Sequence, residues 1–466
     1  MADSVCSHLL LLTPRLAPGG EERFNLTLLE QLTQRNIAVS VCATVAGPHP
    51  WQAEFARYTP EVFILPNFLR PDNYAHFLVE HIRTRQISTV LVASSLVGYA
   101  LLPYLRAHCP NVVFVDYIHM VDLAWRKGGY ARVSANAHCW LDLTIVSSDF
   151  NRAWLMAQGL DPTRLEVCTT NIALQMWDPA QHNRAAVRQS FQMPGDIPVI
   201  LYAARLDIQK RPALLVEVLA RLRQRGLKFL CLIAGDGPQR QWLLRQVARR
   251  HLTDSVRWLG VVEPQRIPEV MAASDIFCLP SANEGIALSL YEAMAMALPV
   301  VAADVGGQHE LVTPQTGRLI PRDGDEARAY TEVLATLLAS PSTRAALGSA
   351  ARQRIVEHFP IERMTGRMLE ALARAQTLAQ EFPRSAPALA EAEILRQQVT
   401  ELVQQEALME HLFAGPPETI ERGPGLTRAR RWIKMRYLRP LYFWGLEHGL
   451  DWLVPLKLAY RRLIHS

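Results

Sequence analysis

Pro198-Val-Ile-Leu-Tyr-Ala-Ala204 runs into Arg205-Leu-Asp-Ile-Gln-Lys210, and after an amphipathic interval Phe229-Leu-Cys-Leu-Ile-Ala234 runs into Gly235-Asp-Gly237-Pro238. Both apolar runs are short and uninterrupted, and each ends in charge or glycine. A strand that is apolar throughout is covered on both faces, as in a parallel sheet wrapped by helices. The rhythm continues outward. Further runs occupy 256–259, 275–279 and 300–303 on one side, and 8–13, 37–44, 62–65, 89–93, 112–118, 143–147 and 165–169 on the other. Helix-period stretches such as 21–34 and 74–84 lie between them, and a polar stretch at 178–196 parts the two series. The pattern predicts two tandem doubly wound α/β domains, with a ligand cleft between them at the carboxyl ends of the strands.

Past residue 325 the character changes. The stretches 329–338 and 360–381 read as long helices, and the second has no strand after it. Ala388, Ala392, Leu395, Val399, Leu402, Glu406, Met409 and Phe413 follow 3-4 spacing, which reads as a short coiled coil or as a helix laid on the body. The expected organisation is a first domain over 1–178, a second over 179–359, a closing helix at 360–382 that crosses back to the first domain, a helix at 383–414, and a basic tail at 415–466.

Composition narrows the function. The chain has 466 residues, 49% hydrophobic and 20% charged, and a net charge of +5. The last 43 residues hold nine basic and two acidic side chains, which leaves 40 basic and 42 acidic in the rest. A near-neutral body is not that of a nucleic-acid binder. Seven scattered cysteines with no Cys-x-x-Cys pair suit buried, reduced thiols better than disulfides or a zinc site. The start lacks the basic and apolar stretches of a signal peptide, and no apolar run is long enough to span a membrane, so a cytoplasmic protein is expected.

Three places carry chemistry. Pro280-Ser-Ala-Asn-Glu284-Gly285-Ile-Ala-Leu-Ser-Leu-Tyr-Glu292 follows a buried run and opens a helix, whose free N–H groups and dipole attract phosphate or sugar hydroxyls. Read as one helix, Glu284 and Glu292 stand ~12 Å apart along the axis and ~80° around it. They can grip opposite ends of a long ligand such as a sugar nucleotide, or be two ordinary surface acids. Arg205 and Lys210 share one strand-to-helix loop and can both reach a diphosphate, or simply be solvated. Gly19-Gly20, Gly235-x-Gly237 and Gly306-Gly307 each let backbone approach a ligand or another loop closely. Gly235-x-Gly237 is a weak dinucleotide fingerprint, because the sixth position is Arg240 and Pro238 intrudes.

Arg205…Lys210, Gly235-Asp-Gly237-Pro238, Val256-Arg-Trp-Leu-Gly260, Glu284-x7-Glu292 and Gly306-Gly307-x-x-Glu310 occur in the order and spacing of glycosyltransferase family 4, which the chain resembles most over 195–325. The resemblance implies two Rossmann-like domains of GT-B architecture with a helical C-terminal extension. It also implies a retaining enzyme that takes a sugar from a nucleotide diphosphate sugar and needs no resident cofactor. By the same resemblance Arg205 and Lys210 hold the diphosphate, Glu284 contacts the donor sugar above the backbone of Gly285, Ile286, Ala287 and Leu288, and Glu292 binds the ribose. Gly260 and Val261 flank the base, Gly19 and Gly20 lie near the phosphates, and His119 faces the sugar. The chain departs from the family at Ala204 and Arg211, where glycines are usual, and at Asn171-Ile-Ala-Leu174. Arg211 either alters donor choice or faces solvent.

No metal is expected. Asp323-Gly-Asp325 reads as a helix N-cap cluster rather than a cation site. The tail sets six cations in Arg428–Arg439 beside Trp432, Trp444 and Trp452, so 426–466 suits an anionic membrane surface on the inner face, a docked helical pair, or a polyanion contact. The expected partners are a nucleotide sugar donor and a glycan or lipid-linked acceptor, with self-association through 388–413 and no nucleic acid. The rivals are a sugar-nucleotide epimerase of the same architecture and a non-catalytic scaffold protein.

Overall fold

The computed structural model describes residues 6–193 and 197–413, the side chains of 400, 401 and 404–413 excepted. Among the described residues, thirteen strands form two wholly parallel sheets. The first holds β1 (His8–Thr13), β2 (Ala38–Ala43), β3 (Val62–Ile64), β4 (Thr89–Ala93), β5 (Val113–Ile118), β6 (Leu143–Val146) and β7 (Leu165–Val167), in the order β3-β2-β1-β4-β5-β6-β7. The second holds β8 (Val199–Ala203), β9 (Leu230–Ala234), β10 (Val256–Gly260), β11 (Ile276–Leu279), β12 (Val300–Ala303) and β13 (Gly317–Ile320), in the order β10-β9-β8-β11-β12-β13. The order reverses at β1 and β4 in one sheet and at β8 and β11 in the other. Such switch points open a crevice at the strand ends, where the Gly19, Arg205 and Glu284 loops all lie.

The alternation of side chains in the first sheet creates two cores. Leu10, Leu12, Val90, Val92, Phe114 and Ile118 face one way, and Leu9, Leu11, Leu91, Val113, Val115 and Tyr117 the other. The helix Ile361–Glu381 leaves the second domain and sets Ile361, Met364, Met368, Ala371, Leu372 and Ala375 into the second of these cores. Its entry is pinned where Asn171 Nδ2 donates to Pro360 O at 2.8 Å and Ile172 N donates to Phe359 O at 3.3 Å. The helix Leu389–Phe413 covers the opposite core through Ala392, Val399 and Val403. Two of the eight seam positions, Ala392 and Val399, thus lie on the chain's own body, as in the second of its two sequence readings. The seam beyond 403 and the tail at 415–466 lie outside the described side chains.

Three differences from the sequence reading have physical causes. β13 carries no apolar run, because Arg318 is exposed in a four-residue edge strand. The helix after β11 spans Leu288–Ala295, with Ala287 as an extended N-cap, so Glu284 stands on the loop before it and the ~12 Å axial spacing does not apply. Arg211 neither faces solvent nor enters the cleft. It adopts φ 51°, the left-handed region that favours glycine, and its guanidinium takes Glu326 in a bidentate pair at 2.6 and 2.9 Å.

Six of the seven cysteines are buried, Cys139 is exposed, and all are unpaired. Asp325 caps the helix Glu326–Ala339 by accepting from Arg328 N at 2.9 Å. Among the described residues no group of His, Cys, Asp and Glu could hold a metal ion, and no helix is long and apolar enough to cross a membrane.

Candidate active site

The loop after β8 carries both cations. Asp207 shapes it: one carboxylate oxygen accepts from Lys210 N at 3.0 Å and the other from Arg205 Nε at 2.6 Å. The glycines after β9 exist for this loop. A Cβ on Gly235 would lie 2.1 Å from Ala204 O, and one on Gly237 2.6 Å from Leu206 O. Leu206 N in turn donates to Asp236 O at 2.9 Å. Of the two sequence readings for Gly235-x-Gly237, close approach to another loop is the one seen.

A second seam joins the β8 loop to the β11 loop. Ala282 N donates to Gln209 O at 2.6 Å, and Gln209 Nε2 to Asn283 O at 2.9 Å. The seam brings Lys210 Nζ to 2.5 Å from Glu284 Oε1, with the two side chains 19% and 7% exposed. Arg205 remains 68% exposed on the same loop, open to an anion. Lys210 thus supplies the partner without which a buried Glu284 carboxylate would be strongly unfavourable.

Gly285 meets the first domain. A Cβ there would fall 2.0 Å from His119 O, so only glycine lets the donor loop lie against the end of β5. The His119 ring packs edge-on to Phe24 at 5.0 Å and beside Tyr117 at 4.6 Å. Burial drives its pKa down to about 3, and its Nε2 has no hydrogen-bond partner. The ring is therefore a neutral imidazole with one unsatisfied nitrogen, suited to a hydrogen bond with a ligand and not to carrying charge. Ile286 touches Gly307, and Leu288 opens the helix on whose second turn Glu292 sits half-buried. Burial pushes the Glu292 carboxyl up to about 7, opposed by Arg23 of the first domain.

Gly19 is the extended N-cap of the helix Gly20–Thr33, and the Glu22 carboxylate folds back to occupy the space a Gly19 Cβ would need. Burial raises the Glu22 pKa, while Arg205 and Arg15 lower it, which sets this acid electrostatically against the diphosphate-binding candidate of the other domain. Glu21 is pushed up to about 8 by burial, against a hydrogen bond with Ser94, and its Oε1 is unpartnered. Glu21, Glu22 and Arg23 were not singled out in the sequence. Their adjacency to Gly19-Gly20 was the available signal, masked because acids are ordinary in a first helical turn.

Gly260 ends β10 at φ 72° and leaves Val261 78% exposed. Trp258 stiffens this rim by donating Nε1–H to Gly235 O at 2.8 Å, with Arg240 4.0 Å over its ring. The structure brings Lys210 to Glu284 and His119 to Gly285. Glu292 lies in the helix that follows the Glu284 loop, and the Gly260–Val261 rim ends β10, which β9 separates from β8. The cations can neutralise a diphosphate, the buried neutral groups can accept and donate hydrogen bonds to a sugar, and the rim leaves room for a flat base.

The chain is similar to known proteins. The description "Glycosyl transferases group 1" matches residues 183–354, and "Glycosyltransferase Family 4" matches residues 18–172. An alpha-maltose-1-phosphate synthase of Mycobacterium tuberculosis is 31% identical over 286 residues, covering 56% of this chain and 72% of the relative. A GDP-mannose-dependent monoacylated alpha-(1-6)-phosphatidylinositol monomannoside mannosyltransferase of Corynebacterium glutamicum is 27% identical over 311 residues, covering 64% and 79%. A D-inositol 3-phosphate glycosyltransferase of Salinispora arenicola is 31% identical over 228 residues, and there the match spans 46% of this chain and only 50% of the relative. Among solved structures, Anabaena HepE in complex with UDP and glucose has a TM-score of 0.67 at 18% identity, covering 78% of this chain and 99% of that one. A Rickettsia africae glycosyltransferase has a TM-score of 0.66 at 19% identity, covering 79% and 98%. These likenesses show the fold to be GT-B.

Proposed function

Because the chain belongs to glycosyltransferase family 4, we propose that it is a retaining, metal-independent glycosyltransferase that moves a sugar from a nucleotide diphosphate sugar to a hydroxyl of a glycan or lipid-linked acceptor. The observation that carries the reading is the pairing of Lys210 with the buried Glu284 beside an open Arg205. As the donor bond breaks, negative charge builds on the leaving diphosphate. Arg205, Lys210 and the first-turn N–H groups of the helix Leu288–Ala295 meet it with fixed positive charge and dipole. Release of Lys210 to the phosphates frees Glu284 to bind sugar hydroxyls, so one salt bridge is exchanged for contacts to both halves of the donor. Glu292 binds the ribose, the Gly260–Val261 rim takes the base, and the neutral His119 accepts a hydrogen bond from the sugar.

The named activities of the relatives favour an acceptor that is a phosphorylated polyol or a glycolipid. Synthesis of cell-surface polysaccharide or glycolipid suits such an acceptor. The basic, tryptophan-bearing 426–466 supports work at the inner face of a membrane. The test is incubation with UDP-glucose or GDP-mannose and a crude lipid or glycan extract, with chelator present. Transfer with retention, unaffected by the chelator, is expected. An epimerised nucleotide sugar without acceptor, or activity restored only by manganese, would overturn the reading.

A further inference from the structure

Gly306-Gly307-Gln308-His309-Glu310 follows β12 and lies against the first domain. A Cβ on Gly307 would fall 2.7 Å from Ser148 Cβ, and one on Gly306, at φ 55°, would fall 2.0 Å from Glu284 O. Gly307 N donates to Gly285 O at 2.8 Å. Beyond the glycines, the Glu310 carboxylate reaches across the cleft. Its Oε2 accepts from Asp149 N at 2.9 Å and its Oε1 from Phe150 N at 2.8 Å. Those two N–H groups open the helix Asp149–Ala157, where free donors and the positive dipole end attract a carboxylate. Ser148 Oγ, the local cap, is already taken by Asn151 N at 3.2 Å, so an acid of the second domain completes the cap of a first-domain helix. Arg354 fixes the latch from behind, donating to Glu310 O and Leu311 O at 2.8 Å each.

The capped helix leads to the candidate catalytic ring. Asn151 Nδ2 donates to His119 O at 3.2 Å, and Ser147 Oγ donates to the same oxygen at 2.7 Å. That carbonyl is also the atom against which Gly285 is seated. We propose that Glu310 is an interdomain latch and positioning residue: by capping the helix Asp149–Ala157 in trans it closes the cleft and seats His119 against the donor loop. In an open cleft both the carboxylate and the two N–H groups are hydrated, so the bonds are exchanged for water at small net cost, as a reversible latch requires. The link to turnover rests on the proposed glycosyltransferase reading; the link to closure does not.

The test uses the full chain, with spin labels on the exposed Cys139 and on an introduced Ser190→Cys, one in each domain. Without ligand, the wild-type background gives one narrow interdomain distance. Glu310→Ala broadens and lengthens it, and Glu310→Gln, which keeps one acceptor oxygen, falls between. With whichever of UDP-glucose and GDP-mannose is turned over, Glu310→Ala lowers kcat about 10- to 100-fold. The affinity for the nucleoside diphosphate stays within about twofold, since the side chains proposed to hold it, Arg205, Lys210 and Glu292, belong to the second domain. An unchanged distance distribution overturns the latch, and so does an equal fall in kcat, diphosphate affinity and melting temperature. If neither nucleotide sugar binds, the donor reading fails while the ligand-free distances still decide the latch.

Discussion

Breaking the Lys210–Glu284 pair should produce opposite effects on folding and on diphosphate binding. The pair is 2.5 Å long, with side chains 19% and 7% exposed. Removing one partner of a fully buried pair costs about 3–5 kcal/mol; partial exposure of Lys210 reduces that to about 2–3 kcal/mol for Lys210→Met, which strands the Glu284 carboxylate. Glu284→Gln strands only an ammonium that can turn to water, for a loss of about 1 kcal/mol. The double variant leaves no buried charge and should lose about 1 kcal/mol in all, giving a coupling of about 2–3 kcal/mol. Denaturant unfolding of the four proteins measures the cycle. Binding separates the account from a purely structural salt bridge. Glu284→Gln releases Lys210 and removes a negative charge beside the phosphates, so UDP or GDP should bind about 5- to 30-fold tighter while turnover collapses. Calorimetric titration of the diphosphate reads this directly. Additive stability losses, or a diphosphate that binds Glu284→Gln no better than wild type, would refute the reasoning.

Three further outcomes follow from the same geometry. His119→Ala should cut turnover about 10- to 100-fold with little change in diphosphate affinity; because the native ring stays neutral to about pH 3, its NMR signal should not titrate between pH 5 and 8. Glu292 titrates near 7 when folded and near 4.5 when unfolded, so the native state holds its proton longer. Its contribution to stability therefore falls as pH rises from about 4.5 to about 7, and Glu292→Gln should flatten the pH dependence of the denaturant midpoint there by about 1–3 kcal/mol. Gly285→Ala drives a methyl into His119 O and should abolish most turnover while the second domain still binds UDP or GDP, measured by the same titration.

Most of the fold was legible because its strands are buried on both faces. β1, β4 and β12 fall at the residues their apolar runs mark. β13 was not legible, since an edge strand of four residues with an exposed Arg318 has no such run. The helix start at Leu288 was read early because Ala287 is its cap, and no Ser, Asp or Asn marks the boundary. The heptad-like seam after 388 is ambiguous in principle, since Ala392 and Val399 satisfy a partner helix or the chain's own body equally well; only the fold shows the body. The site was legible where charge types recur on one loop, as with Arg205 and Lys210. Contacts across the cleft were not legible. Glu310 reads as one acid after a glycine pair until the helix it caps, some 160 residues earlier, is folded against it.

The most direct test of the central claim, that β8 and β11 build a nucleotide diphosphate sugar site, is calorimetric titration of UDP-glucose and GDP-mannose into the wild-type chain, Arg205→Ala and Lys210→Ala. One of the two donors should bind the wild type, and each loss of a cation should weaken it at least about tenfold, as expected for a charge-assisted phosphate contact. Binding of neither donor, or equal binding by wild type and Arg205→Ala, would contradict the account.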